Sequence, residues 1–566
     1  MDNLSLWLAS WFVVTALLHP RIDLWDLPSV GEFAPYLRHE RLLRVALSLR
    51  ATEVILHTQG PVRVSDEGVS APLVWPASLA ADGPHTFVCQ PRQEEVGEET
   101  RYRLCLGLYP QRSRAESVAE EVQRRGLRTR VERIAGGFAV QVNDLTSRSW
   151  AETLCQRVRK AGYSEARVQS YSVPRTETRL AVRVDGQPLE VAGLLSLSVT
   201  PLTDQPLALT LRLAQGRVTG PKRYRGGFEV RAQPKQGLLV VNTVTLDDYL
   251  RGVVPLEMGP RTPWAALRAQ AVAARTYALA RLARQAAPTY DFIASHTQQY
   301  GGVAVETEST NRAVAETRGE VITFYGRLIH AFFHASCGGR TEDAANVWGV
   351  TEPCLVGVQD APPVPRSSSV TRPAGGEGKE IAPVKGDRGW SVESLAEPEA
   401  IRDFLRRRGG SYCAHRPFYR WKVTYSRAEL EERLRRTLPR VLHRPGLSLG
   451  GLKGVHVQAR SVNGRVQVLE IADERHTYRI AGDRIRWLFG TGRPDERGLR
   501  STLFVVGRVG ERYHFWGGGW GHGVGMCQQG AQGLAEAGRD YRAILQHYYP
   551  GTQVERWTSQ NESPAH

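Results

Sequence analysis

Between Tyr102 and Ser170 the chain repeats itself, and no other feature restricts its fold so much. Tyr102 recurs as Phe138, Leu104 as Val140, Ser113 as Ser149, the Ala115-Glu116 pair as Ala151-Glu152, Val122 as Val158 and Gly126 as Gly162, an offset of about 36 residues. Each copy opens on alternating apolar residues and enters a helix near a serine. It then runs to a glycine, which takes the left-handed helix stop without a Cβ clash. A second strand follows in each copy. Two such units side by side predict a βαββαβ sheet-and-helix module over residues 100–172.

The rest of the 566-residue chain is too long for one core. Residues 40–95, led by the alternating run Arg44 to Thr58, read as a small β module. Residues 178–553 start as short strands and turns up to about Val244. Thr262 and Pro263 then open the clearest helix of the chain, with Thr as cap and Pro in the first turn, running to about Gln285. Residues 361–386, rich in Pro, Gly, Ser and charge, read as an exposed insertion, and 554–566 as a tail. The expectation is an α+β, multidomain protein: a β-rich region built round one long helix, plus the βαββαβ module.

The net charge of +16 favours an anionic partner. No zinc finger, single-strand-binding aromatic signature or basic low-complexity tail is present, so nucleic acid is set aside. Leu4 to Leu18 is a nearly unbroken apolar run, short for a spanning helix and suited to a signal-peptide core, although Asp2 and no basic residue precedes it. Residues 1–30 therefore read as a signal peptide or membrane anchor, with a buried helix as the alternative. The first reading places the protein outside the cytoplasm. Seven cysteines do not make a disulfide framework. Bridging of one pair among Cys337, Cys354 and Cys413 and buried free thiols both stay open.

Three segments carry chemistry. The first is Tyr249-Leu-Arg-Gly-Val-Val-Pro-Leu-Glu257-Met258, followed by Trp264 and by Gln270 to Tyr277. The second is Gln298-Gln-Tyr300-Gly-Gly, then His334-Ala-Ser-Cys-Gly-Gly-Arg-Thr-Glu342 and Trp348-Gly349. The third is Gly519-Trp-Gly-His-Gly-Val-Gly-Met-Cys-Gln528-Gln-Gly-Ala531, ending at Tyr549-Pro-Gly551. In this order they resemble the SpoIID/LytB family, which has a lytic transglycosylase among its members. The 36-residue repeat resembles the SPOR domain, whose family binds glycan strands stripped of stem peptides. A ferredoxin-like module with another partner is its alternative.

Breaking a glycosidic bond needs an acid for the leaving oxygen and a means of handling the oxocarbenium-like carbon. One carboxyl can serve twice in a lytic transglycosylase, protonating the leaving group and then accepting the muramyl C6 hydroxyl proton as an anhydro ring closes. The resemblance implies Glu257 for this role, and Val253, Val254, Leu256 and Met258 offer an apolar setting that raises a carboxyl pKa. The start of the next helix opposes that if it points at Glu257. The resemblance also places Arg275 and Tyr277 near the acid. By helical projection, however, Gln270 and Tyr277 share a face from which Arg275 is turned about 200°. Trp516, Trp520 and His522 interleave with glycines in a loop whose backbone could approach a ligand while rings stack on sugars. With Gln270 and Gln528 they complete the expected substrate-binding set.

No cofactor is implied, and no residue is committed to a metal. His330, His334 and Cys337 have suitable spacing but lie in an apolar strand-like run. The Cys/His cluster that some relatives carry before Gln298 is reduced here to His296. Gly259 stands where the family often has Pro, and Cys527 where it often has Ser. The expected activity is lytic cleavage of denuded peptidoglycan strands. The alternative is a non-catalytic peptidoglycan-binding protein that enhances a cell-wall amidase.

Overall fold

The computed structural model describes residues 30–39, 41–65, 84–124, 126–189, 194–234, 236–282, 289–294, 298–362, 394–490 and 498–557. The apolar run at 4–18, nearly all of the insertion expected at 361–386, His296 and the end of the tail lie outside them. Among the described residues no helix is long and apolar enough to cross a membrane.

The protein is α+β and multidomain. Its first layer is a large sheet centred on strand Leu43–His57, which pairs antiparallel with Gly237–Val244, Leu207–Leu213 and Thr86–Tyr109. Alternation in these strands and in Gly227–Gln233, which pairs with Gly237–Val244, puts Val54, Leu56, Phe87, Leu209, Phe228 and Val240 into one buried cluster.

Strands Thr86–Tyr109 and Arg167–Val184 are paired from Phe87↔Val184 to Cys105↔Arg167, with one register shift between Glu95 and Gly97. Their near ends belong to the large sheet. Their far ends are respectively the first and the last, outer strand of the βαββαβ module, which adds helix Arg112–Arg124, strands Arg130–Ile134 and Gly137–Leu145, and helix Arg148–Lys160. Gly126 and Gly162 follow the two helices at φ of 89° and 105°, as the repeat requires. Ser147, rather than Ser149, caps the second helix, accepting from the Trp150 N–H. The module has its own core of Leu104, Leu106, Val118, Val122, Val140, Leu154 and Val158. Between the two cores, residues 92–103 and 167–177 form a two-stranded ribbon with no fully buried side chain. The strands thus run straight through the borders expected at 100 and 172.

Beyond Val244 the chain wraps round helix Trp264–Leu282. The carbonyl of Pro263 accepts its first hydrogen bonds, so Pro263 occupies the cap position expected of Thr262. Ala266, Ala269, Ala271, Ala273, Ala274, Ala278 and Ala280 are all buried. Small side chains on every face let neighbouring helices approach closely, and the helix is buried all round. It packs against helices Leu246–Glu257, Glu308–Glu316, Gln528–Glu536 and Tyr541–Tyr548. Two three-stranded sheets, Trp421–Ser426 with Phe504–Val509 and Arg512–Gly517, and Gly454–Arg460 with Val466–Ala472 and Thr477–Ala481, enclose a further core with helix Arg427–Val441.

Candidate active site

Helix Leu246–Glu257 starts on Thr245, whose hydroxyl accepts from the Asp248 N–H, and carries Asp247 and Asp248 in its first turn, where the helix dipole favours acids. Its apolar face, Leu246, Tyr249, Leu250, Val253 and Val254, is buried. Glu257 is its last residue. The negative end of its own helix therefore disfavours a charged carboxylate there, an effect the sequence reading sought only in the following helix.

Two groups hold the Glu257 carboxyl. The Gln299 backbone N–H donates to Oε1 at 3.2 Å and the Gln528 amide to Oε2 at 3.2 Å. Burial raises the Glu257 pKa, and these two hydrogen bonds, which favour the carboxylate, only partly offset it.

The loop that delivers Gln299 is fixed on both sides. Gln298 Nε2 donates to the Ala274 carbonyl on the central helix. Tyr300 is inserted into the core, its hydroxyl donating to Asn242 Oδ1 at 2.7 Å and its ring packed on Tyr249 and Tyr224 at 5.0 and 5.6 Å. The Gly301 N–H then donates to the Gly252 carbonyl. Gly302 has φ of 69° and lies against the Arg223 carbonyl, where a Cβ would meet oxygen at 2.4 Å. This accounts for the Gln-Gln-Tyr-Gly-Gly spacing.

On the central helix, Gln270 is fully buried and its Oε1 accepts from Gln528 at 3.4 Å, so Gln270, Gln528 and Glu257 meet. Gln270 Nε2 has no hydrogen-bond partner among the described residues. Tyr277 packs edge-on against Phe332 and Phe333. The Tyr249 hydroxyl, buried without a hydrogen-bond partner among the described residues, feels Tyr277 and Glu257 electrostatically. Tyr249 opens the first motif, but nothing in its spacing alone marks it as part of the site.

Arg275 departs from the expectation that it stands beside the acid. Its guanidinium is fully buried and bonds Asp247 Oδ1 at 3.3 Å, Thr317 Oγ1 at 3.4 Å and the carbonyls of Val314 and Glu320, both at 3.2 Å. The reason is the 200° turn from Tyr277 along the helix, which projects Arg275 into the packing with helix Glu308–Glu316.

The glycine-rich loop also differs from its expectation as a ligand cradle. Gly521, Gly523 and Gly525 all have positive φ, and a Cβ on them would meet His334, Arg465 and the Phe332 carbonyl at 2.8, 2.3 and 2.1 Å. The close approach these glycines permit is to the protein itself. His522 Nε2 bonds the Phe333 carbonyl, donating as the Nε2–H tautomer, and Nδ1 accepts from the Val524 N–H. Burial, helped by His334, pushes its pKa down to about 3, so the ring is neutral. Trp520 meets Phe418 edge-on at 4.2 Å, and Arg500 lies over it. Trp516 stacks on His514 and under Lys422 on the outer face of its sheet. The groups gathered at Glu257 are Gln270, Gln299, Gln528 and Tyr249, with Tyr277 in reach of Tyr249.

His330, His334 and Cys337 do not converge. His330 Nδ1 bonds Glu352, and His334 Nδ1 the Val524 carbonyl. Cys337 lies instead with Asp360, Cys413 and Cys527, a buried group invisible at sequence spacing because its members come from separate loops.

The segment bearing Glu257, Gln270, Arg275, Tyr277 and Gln298 to Gly302 falls inside residues 234–324, which match the family described as stage II sporulation protein, SpoIID. This part of the chain is similar to the SpoIID family. Residues 98–169 match the SPOR domain, and 344–525, which follow the SpoIID match, a domain of unknown function, DUF8618. SPOR and SpoIID are extracytoplasmic, cell-wall-associated families. An uncharacterized protein of Brachyspira hyodysenteriae is 28% identical over 327 residues, 57% of this chain and 70% of that one. The amidase enhancer of Bacillus subtilis is 28% identical over 311 residues, 54% of this chain and 40% of its own length. Stage II sporulation protein D of Bacillus amyloliquefaciens is 26% identical over 331 residues, 56% of this chain and 75% of that one.

Proposed function

We propose that the protein is a lytic transglycosylase of denuded peptidoglycan, acting outside the cytoplasm, with Glu257 as its acid and base. The observation that carries this reading is the Glu257 carboxyl itself: raised in pKa by burial, at the negative end of a helix, and aimed by the Gln299 N–H and the Gln528 amide. In its protonated form the carboxyl donates its proton to the glycosidic oxygen as the C1–O bond breaks. The resulting carboxylate accepts the C6 hydroxyl proton of the same muramyl residue as O6 bonds to C1, closing the anhydro ring. Neither hydrogen-bond partner of Glu257 among the described residues is an acid, in keeping with a one-carboxyl mechanism. Gln270, with an unused buried N–H, and Tyr249 and Tyr277 would line the sugar site. The SPOR domain would hold the strand. Residues 1–30 would serve as signal peptide or anchor, 40–95 as a small β module and 178–553 as the catalytic region.

The similarity to the amidase enhancer favours a second reading, a non-catalytic wall-binding partner of an amidase. Incubation of the full chain with denuded glycan, followed by mass spectrometry, separates the two. Anhydromuramyl ends that appear with wild type and fall by about 10²- to 10⁴-fold with Glu257→Gln, glycan binding being retained, support the enzyme. Equal rates would move the acid elsewhere, and no ends from wild type would favour the enhancer.

A further inference from the structure

Four side chains from four separate segments meet in the core beside the Glu257 site: Cys337 from the loop after strand Phe333–His334, Asp360, Cys413, and Cys527 at the start of helix Gln528–Glu536. All are buried, and one ligand atom from each lies within 4.8 Å of all the others. Cys337 Sγ is 3.5 Å from Cys413 Sγ and 3.3 Å from Asp360 Oδ2. Three sulfurs and one oxygen arranged tetrahedrally about zinc, at about 2.3 Å for sulfur and about 2.1 Å for oxygen, stand about 3.6 to 3.8 Å apart, a few tenths of an ångström more than these two separations. The observed spacing fits ligands round one ion and is far longer than a disulfide bond of about 2.05 Å.

The surroundings are built for thiolates. The Gly339 N–H donates to Cys337 Sγ at 3.3 Å, and the Cys337 and Gly530 N–H groups donate to Cys527 Sγ, both at 3.2 Å. The Tyr548 hydroxyl donates to Asp360 Oδ1 at 2.6 Å, which turns Oδ2 toward the sulfurs, and the Cys413 N–H donates to Oδ2 at 3.1 Å. Such outer contacts orient metal ligands and supply hydrogen bonds that a bare thiol does not need. A carboxylate of zero exposure among three thiols is costly unless a cation balances it or the group takes up a proton.

We propose that Cys337, Asp360, Cys413 and Cys527 form a closed, four-ligand structural zinc site. All four positions are filled by protein, so the ion has no open coordination site for substrate. Its role is to tie the segments holding these residues to the short strand Met526–Cys527, which ends one residue before Gln528. The site stands on its own residues and does not depend on the activity proposed for Glu257.

The test uses the full chain purified without chelator. Elemental analysis and native mass spectrometry are expected to find about one zinc per chain. Cys413→Ser and Asp360→Asn should each lose most of it, while Cys354→Ser, outside the cluster, keeps it. Replacement of zinc by cobalt should give thiolate-to-metal charge-transfer absorption and the intense visible bands of a tetrahedral centre, both lost in Cys527→Ser. Wild type that takes up no zinc or cobalt under reducing conditions overturns the proposal. So does a Cys337–Cys413 disulfide in metal-free wild type, seen as a loss of two hydrogens in intact mass, or a weak octahedral cobalt spectrum. These wild-type readouts stand even if a variant fails to fold.

Discussion

Gly252 sits inside helix Leu246–Glu257, where exchange of glycine for alanine ordinarily stabilises by about 0.5–1 kcal/mol. Here the new methyl would lie 2.5 and 2.8 Å from two carbons of the Tyr300 ring. That ring cannot withdraw cheaply, because Asn242, Tyr249 and Tyr224 hold it. Overpacking of this kind costs about 1–3 kcal/mol, and movement of the loop also weakens the Gln299-to-Glu257 bond, worth about 0.5–1.5 kcal/mol. The penalties exceed the helical gain, so Gly252→Ala should destabilise by roughly 0.5–4 kcal/mol, the two penalties less that gain. Thermal unfolding gives the sign, and the rate of anhydromuramyl formation should fall with it. Gly259→Ala, where a methyl meets nothing within 4 Å, is the control. A Gly252→Ala protein more stable than wild type and equally active would refute the tight docking of the Tyr300 loop on this helix.

Because the Glu257 pKa is raised in the folded chain, its stability contribution is fully present below the unfolded value and is lost as pH rises through the folded one. The acid-dependent rate should fall over the same rise, and Glu257→Gln should remove both trends from pH–rate and pH–melting profiles. Arg275→Met should destabilise by about 3 kcal/mol or more by leaving Asp247 short of a buried partner, while glycan affinity of the folded fraction is unchanged; a selective loss of rate at wild-type stability would restore Arg275 to the site. Replacement of residues 94–177 by a tight turn should abolish extra binding to amidase-treated sacculi in a pelleting assay yet leave the catalytic region folded, and binding equal to wild type would refute a glycan role for the module.

The module and the central helix were legible because their signals are local: a repeat with glycine stops, and an alanine-rich run after Pro263. Glu257, Gln270 and Gln528 were legible through motif resemblance, and Gln270 lies on the helix whose start Thr262 and Pro263 mark; the helix that ends at Glu257 was not expected. Arg275 shows the limit of resemblance, since helical projection pointed away from the acid and the packing agreed with projection. Its partners Asp247 and Thr317 lie 28 and 42 residues away, so nothing local names them. The glycine loop misled because glycine permits close approach to any surface, and only the fold reveals that His334, Arg465 and Phe332 are the surfaces approached. The cysteine cluster was illegible for the same reason: Cys337 and Cys527 are 190 residues apart and share no short spacing pattern.

The exposed ribbon between the two cores pairs Gln93 with Thr178 at one end and Tyr102 with Ser170 at the other, roughly 30 Å of paired strand at about 3.3 Å per residue. A module hung on a single flexible linker swivels and samples a sphere. One mounted on two hydrogen-bonded strands acts more like a crane arm, its reach set by strand length and its swivel limited by the double attachment. A polymer gripped at the tip would then be offered to the rest of the molecule over a restricted span, so that where the chain is cut relative to where it is held becomes a property of ribbon length. Lengthening both strands by equal, even numbers of residues preserves which side chains face which way while moving the grip outward by a calculable step.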